Sequence, residues 1–173
     1  YGVTMDDLVY RDGLHYKKFS DVPFTGKVTG MAQGLFKNGK KDGPWFYYTH
    51  GNGQLWMKVT YKDGKMNSPS VSYHENGQLG STGTYKDGKM DGPWVHYWDN
   101  GQLDYKGTFK DGKREGPWEL YHSNGQLQFK GDMRNGKEDG SWVRFYGDGQ
   151  LYSKGTYKQG DQNGDWEVYW NNG

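Results

Sequence analysis

Metal or acid–base chemistry would have to rest on histidines and carboxylates in this sequence, because it contains no cysteine. Disulfides and thiolate metal sites are thereby excluded, while the redox compartment stays open. Zinc ligands must converge to about 2 Å from one ion. His74 and His122 occupy the same column of a repeat, but two repeats apart, about 20 Å by strand spacing. His15, His50 and His96 fall in other columns, so no metal centre is expected. Carboxylates recur as Asp63, Asp87 and Asp111, and again as Asp91, Glu115 and Asp139. Paired acids about 5 to 9.5 Å apart can hydrolyse glycosides. An active site, however, is one constellation, and these acids return in every repeat beside turn glycines and lysines. Turn chemistry and solubility account for them. No nucleophile elbow, phosphate loop or HExxH pattern occurs. The first 30 residues offer only Tyr10, His15, Tyr16 and Asp21 as raw material, in a segment too short to enclose a pocket. No catalytic residue and no cofactor is expected.

The elements that carry these side chains are set by a repeat. GTFKDGKREGPWELYHSNGQL, residues 107–127, returns with small changes along most of the chain. Trp94, Trp118, Trp142 and Trp166 stand 24 residues apart. Two earlier copies carry Trp45 and, in place of the Trp, Ser70. Turn pairs such as Asp87-Gly88, Asn100-Gly101, Asp111-Gly112 and Asn124-Gly125 punctuate it, with glycines separated alternately by 11 and 13 residues after Gly53. These dipeptides accept the positive φ angles of two-residue hairpin turns. Each interval therefore reads as one strand and each unit as two antiparallel strands; no segment has the 3.6-residue apolar spacing of a helix.

Alternation along the first strand puts Leu103, Tyr105, Gly107 and Phe109 on one face, the core side. In the second strand Trp118 and Tyr121 lie three apart. Either a bulge after Gly116-Pro117 re-aims one of them, or both faces carry aromatics. The expected fold is all-β: tandem 24-residue antiparallel hairpins in one elongated, twisted sheet. Residues 1–30 form a capping segment (a hairpin turning at Asp12-Gly13, then a loop or irregular edge strand), and residues 31–173 an array of five to six hairpins. Neighbouring strands at about 4.8 Å give the array a length of roughly 50 to 60 Å.

Composition fits such an array. Hydrophobic residues make up 32% of the chain and aromatic ones 17%, so Tyr, Trp and Phe must supply most of the buried area. The net charge of +1 gives no reason to expect nucleic acid. No apolar run approaches the roughly 18 residues of a membrane span. The start at Tyr1 marks a processed or trimmed chain: with a signal peptide removed, the protein would be exported or periplasmic, otherwise cytoplasmic. The terminal Asn171-Asn172-Gly173 stops on a turn, so the natural chain is expected to continue.

The pattern G-x-[YF]-K-[DN]-G-K-x-[DE]-G-P-W followed by x-x-Y-x-x-N-G-Q-L resembles the MORN-repeat variant (MORN_2), a type widespread in bacteria. It stands most fully at residues 83–103 and 107–127. The opening, LVYRDGLHYKKFSDVPFTGKVTG at residues 8–30, resembles that of the YwqK-type members, named as antitoxins of toxin–antitoxin pairs. The resemblance implies a hairpin array that binds a protein, with a toxin as the candidate partner. Departures fall at Ser68-Pro69-Ser70, which lacks the Gly and the Trp, and in the last copy, where Gln159-Gly160-Asp161 replaces K-D-G-K and Asp165 replaces Pro.

Columns that recur build the ladder; columns that vary are free to build a contact surface. The position four residues after the Trp holds Thr49, His74, Trp98, His122, Tyr146 and Trp170. A second varying column holds Trp56, Gly80, Asp104, Gln128 and Tyr152. Trp56, His74, Trp98, His122, Tyr146, Tyr152 and Trp170 are therefore the candidate partner-contact residues, since Tyr and Trp bury large area at small entropic cost. The bland alternative is that they cover the second face of the sheet. The functional expectation is a non-enzymatic protein-binding or scaffold protein without a small-molecule substrate. Its rival is a surface-binding module for anionic phospholipid or cell-wall glycan. The lysines beside the Asp-Gly turns favour membrane attraction weakly, because their small net charge is spread along the array.

Overall fold

The computed structural model describes residues 2–172. Fourteen strands form an antiparallel sheet in chain order, beside a separate two-stranded hairpin. Two compact units are present: one carries the chain up to Gln78 together with Tyr85–Lys89, the other Leu79–Thr84 and the chain from Met90 onward. Among the described residues the one helical element is a 3-10 turn at Met5–Asp7, and no helix is long and apolar enough to cross a membrane.

In the first unit, β1 (Leu8–Arg11) and β2 (Leu14–Lys17) form the separate hairpin. β3 (Gly26–Val28), β4 (Ala32–Lys37), β5 (Lys40–Tyr48) and β6 (Leu55–Lys62) then pair in succession. The next strand is interrupted at Asn67, giving β7 (Lys65–Met66) and β8 (Ser68–Tyr73), both paired to β6. The expected boundary at residue 30 falls in the connection between β3 and β4. The hairpin is stitched to the first rung by the backbone: His15 N–H donates to Gly39 C=O, Gly39 N–H to Phe24 C=O, and Phe24 N–H to His15 C=O. Leu8, Phe24 and Val28 from this opening segment join Phe36, Trp45, Val59 and Tyr61 in one buried cluster. The three-residue β3 leaves little open edge, as an end-capping strand should.

The second unit comprises β9 (Leu79–Lys86) and β10 (Lys89–Tyr97), apart from residues 85–89 at their shared turn, and six further strands. These are β11 (Leu103–Lys110), β12 (Lys113–Tyr121), β13 (Leu127–Arg134), β14 (Lys137–Phe145), β15 (Leu151–Lys158) and β16 (Asp161–Val168). Trp118, Met133 and Trp142 form a buried cluster in it, flanked by Tyr105, Phe109, Phe129, Tyr157 and Trp166.

The repeated Gly and Trp form one device. Each Trp lays its indole over the glycine of the preceding strand. A Cβ added at Gly34, Gly83, Gly107, Gly131 or Gly155 would lie 2.1 to 2.4 Å from indole atoms of Trp45, Trp94, Trp118, Trp142 and Trp166 respectively. Glycine is required there because the ring occupies the side-chain space. In the aberrant rung both members change together, with Val59 at the glycine column and Ser70 at the Trp column, 1% and 4% exposed. Valine fills the volume that the missing indole vacates.

A bulge delivers the ring. Between β11 and β12 the pairs Lys106↔Glu119 and Thr108↔Glu115 leave Gly107 opposite Gly116, Pro117 and Trp118, and Gly116 takes φ +69°. Trp118 then joins the core cluster, while Tyr121 donates its hydroxyl proton to Glu119 at 2.5 Å on the opposite face. Both faces thus carry aromatics.

The two turn types differ. At Asp63-Gly64, Asp87-Gly88, Asp111-Gly112 and Asn135-Gly136 both residues take positive φ, as two-residue type I′ hairpins demand. The Asn-Gly pairs at the other end do not follow the expected two-residue form. There only the glycine is left-handed and the connection is longer, closed by Trp98 N–H to Gln102 C=O and by Asn100 Oδ1 accepting from Gln102 N–H at 2.9 Å. Asn serves there as a side-chain acceptor, the Asx-turn role.

Candidate functional site

The recurrent polar side chains are engaged in joining one rung to the next. Asp91 Oδ2 accepts the N–H of Asp111 at 3.1 Å, Glu115 Oε2 that of Asn135 at 2.9 Å, and Asp139 Oδ1 that of Gln159 at 3.2 Å. Beside them the turn glycines donate backward, Gly112 to Met90 C=O and Gly136 to Arg114 C=O. Each carboxylate therefore satisfies a turn amide that its own rung cannot, which is the structural reading expected of these acids.

At the opposite edge the variable column does the same work with different chemistry. Trp98 Nε1–H donates to Tyr121 C=O at 3.2 Å, His122 Nε2 lies 3.3 Å from Phe145 C=O, and Tyr146 hydroxyl donates to Tyr169 C=O at 2.9 Å. Asn100 and Asn124 reach Ser123 C=O and Gly147 C=O, each at 2.7 Å. Three of the seven candidate contact residues thus have their polar ends turned to the neighbouring rung. Side-chain variety is tolerated there because a backbone carbonyl accepts from any N–H or O–H of suitable reach. His74 is half-buried in the turn that follows β8, where its N–H donates to Gln78 C=O.

Trp56, Tyr152 and Trp170 are placed differently, being 41%, 39% and 83% exposed. Trp56 leans on Tyr47 with ring centroids 5.8 Å apart, and Tyr152 on Tyr146 at 4.9 Å. In each unit exposed aromatic area therefore rests on a partly buried aromatic support, an arrangement that costs little entropy on contact.

The second face also carries a polar motif that sequence columns alone did not single out. Lys106 pairs with Glu119 at 2.9 Å, and Lys154 with Glu167 at 3.2 Å. Tyr121 donates its hydroxyl proton to Glu119, and Tyr169 to Glu167. The Tyr121 hydroxyl first, and the Lys106 ammonium after it, hold the Glu119 carboxyl below its usual range. Such groups are exposed and screened, so they order the surface more than they stabilise it.

Of the histidines, His96 Nδ1 lies 2.9 Å from Asp104 and its ring stacks on Tyr105, while His15 Nδ1 faces Gly39 C=O at 3.3 Å. Among the described residues no three His, Asp or Glu side chains gather to hold a metal ion.

The opening segment was expected to be too short to enclose a pocket. Together with the first two rungs, however, it lines an open cleft of about 540 Å³ that includes Tyr10, His15, Lys41, Tyr61 and Lys65. Sequence reasoning passed over Lys41. Its column (Lys41, Met66, Met90, Arg114, Glu138, Gln162) lies beside the turns and varies in charge from rung to rung, which was the available signal.

Antiparallel hairpins of fixed length, with ring-over-glycine packing and turn-to-turn bonds, define an all-β hairpin repeat protein. Four tandem segments, residues 68–87, 90–111, 114–135 and 138–159, match the MORN repeat variant, so the chain carries a run of MORN repeats of this variant. MORN repeats generally mediate binding to proteins or membranes. No curated protein matches the chain. Among solved structures, a glycosylation-associated protein (Gap123) complex from Streptococcus agalactiae shares 17% identity over 59% of this chain, with a TM-score of 0.34. A GtfA/B complex bound to UDP and GlcNAc shares 11% identity over 90% of it, with a TM-score of 0.22. This chain spans 18% and 26% of the length of those chains.

Proposed function

We propose that this protein is a non-enzymatic binding protein that engages another protein through the exposed aromatics at its variable columns, with Trp56, Tyr152 and Trp170 as anchors. The observation that carries this reading is the division of labour among side chains. Recurrent acids and turn amides satisfy one another between rungs, while these three rings remain exposed. The displaced titrations agree: the carboxylates that shift, Asp7, Glu119 and Glu167, all move down, away from the raised values a general acid needs. The resemblance of residues 8–30 to antitoxin-type proteins makes a toxin the candidate partner and suggests an immunity or neutralising role.

The test is co-purification with the product of the adjoining reading frame, using the parent chain and a Trp56→Ala/Tyr152→Ala/Trp170→Ala variant. Exposed positions leave thermal stability nearly unchanged, and capture should fall at least about tenfold, since interface aromatics cost about 2 kcal/mol or more when truncated. Undiminished capture by the triple variant would show that the contact surface lies elsewhere. Retention on anionic vesicles or peptidoglycan at low salt, without protein capture, would replace this reading by surface binding.

A further inference from the structure

We propose that the cleft between the N-terminal hairpin and the first two rungs binds a small phosphoryl dianion, with Lys41 as its central cation. The chain places Lys41 where lysine is costly. Its stem passes over the core face, and Nζ lies 4.3, 5.1 and 5.0 Å from the ring centroids of Trp45, Tyr47 and Tyr61. One N–H donates to the Tyr47 hydroxyl at 2.7 Å, and that oxygen lies 2.9 Å from the Tyr61 hydroxyl. Among the described residues no carboxylate comes within ion-pair distance of Lys41. An ammonium has three donors, and here one has a defined acceptor. Burial lowers the lysine's basicity, so its charged form gains from a nearby anion, while the Tyr47 phenol is held neutral by the same burial.

The cleft supplies the setting for that counter-ion. Three lysines, Lys40, Lys41 and Lys65, line it against one carboxylate, Asp63, and Tyr10 and His15 form a wall contributed by the opening hairpin. The balance favours a doubly charged anion. Lysines acting as point charges suit a tetrahedral phosphoryl group, whereas a planar carboxylate is better matched by the arginine fork, which is missing from this lining. The glycine amides beside it are already committed, Gly39 to Phe24 C=O and Gly64 to Lys41 C=O, so recognition falls to side chains. No other rung repeats the arrangement: Met, Arg, Glu or Gln replaces Lys41 there. The inference does not depend on the protein-binding reading.

Calorimetric titration of the full chain with phenyl phosphate, inorganic phosphate and acetate provides the test. Saturable binding of both phosphates and not of acetate is expected. Lys41→Met, a residue the same column already carries in two rungs, should weaken it at least about tenfold, the scale of a charged hydrogen bond. The rim variant Lys65→Gln should weaken it severalfold, and Arg114→Met, at the matching position in another rung, should not change it. Vesicles carrying phosphatidic acid, whose head group is a phosphomonoester, distinguish a lipid source. Retention abolished by Lys41→Met and displaced by phenyl phosphate assigns the site to a membrane lipid, and phenyl phosphate binding alone to a soluble ligand. Equal affinity of parent and Lys41→Met, equal binding of acetate, or no binding of any phosphate source would overturn the proposal.

Discussion

The five indoles share one column but differ in what their N–H finds. Trp45, Trp94 and Trp142 donate to Leu35, Thr84 and Asp132 C=O at 3.2, 3.2 and 3.0 Å. The N–H groups of Trp118 and Trp166 are buried without an acceptor. An unpaired buried donor gives up its hydration for nothing, so removing it is cheaper than breaking a formed bond. Trp142→Phe should therefore destabilise more than Trp118→Phe, by about 1 kcal/mol, in denaturant unfolding. An equal cost for the two would mean that the indole N–H contributes nothing in this column.

The rung is the element at which sequence reading succeeded and also where it stopped. Strand spacing and the core face of Tyr105 and Phe109 were legible because each recurs with a fixed period, as was the structural use of Asp91, Glu115 and Asp139, though not their bonds to the next rung. The facing of Trp118 against Tyr121 was not legible, because Gly116-Pro117 signals a bulge without saying which residue it re-aims; the bulge falls before Trp118, and the two keep the opposite faces of a regular strand. Nor did the variable column reveal its purpose. Trp98, His122 and Tyr146 differ as residues yet all meet a carbonyl of the next rung, and a shared acceptor leaves no mark in side-chain identity. The paired change at Val59 and Ser70 gives a sharp test at this scale. Ser70→Trp alone should clash with Val59 and cost about 1–3 kcal/mol. Val59→Gly alone should leave a cavity and cost about as much. Together they restore the ring-over-glycine pair, so the double variant should be more stable than the sum predicts by at least about 1 kcal/mol. Strict additivity in urea unfolding would show that the two columns are not one packing unit.

At the scale of the whole molecule, acid should act in two steps. Burial first, and repulsion from Lys41 besides, lower the His15 pKa from its ordinary 6.5, despite the Gly39 carbonyl that raises it. The unfolded chain then binds the proton more readily than the folded one. Stability is unaffected above about pH 6.5 and falls as pH drops from there toward the folded value. Glu119 and Asp7 are held below their ordinary 4.5 and 3.8, so their contribution is present above those values and lost as pH falls through the lowered ones. Thermal unfolding between about pH 7.5 and pH 3 should show both windows, with the upper one absent in His15→Asn. An unchanged upper window in that variant would place its origin elsewhere.

The bonds that cross from turn to turn have a bearing on how such a chain can lengthen. Asp91 reaches Asp111, Glu115 reaches Asn135, and Asn100 and Asn124 each reach a carbonyl 23 residues onward. An insertion inside any of these intervals would pull a side chain off its acceptor, so growth by duplication must proceed in whole 24-residue steps. The one departure obeys the same logic. The extra residue between the Trp45 and Ser70 copies sits in the turn after β5, where Thr49, Asn52 and Gln54 bond among themselves. Length is heritable here as a multiple, and the added residue is carried by a turn whose side chains bond among themselves.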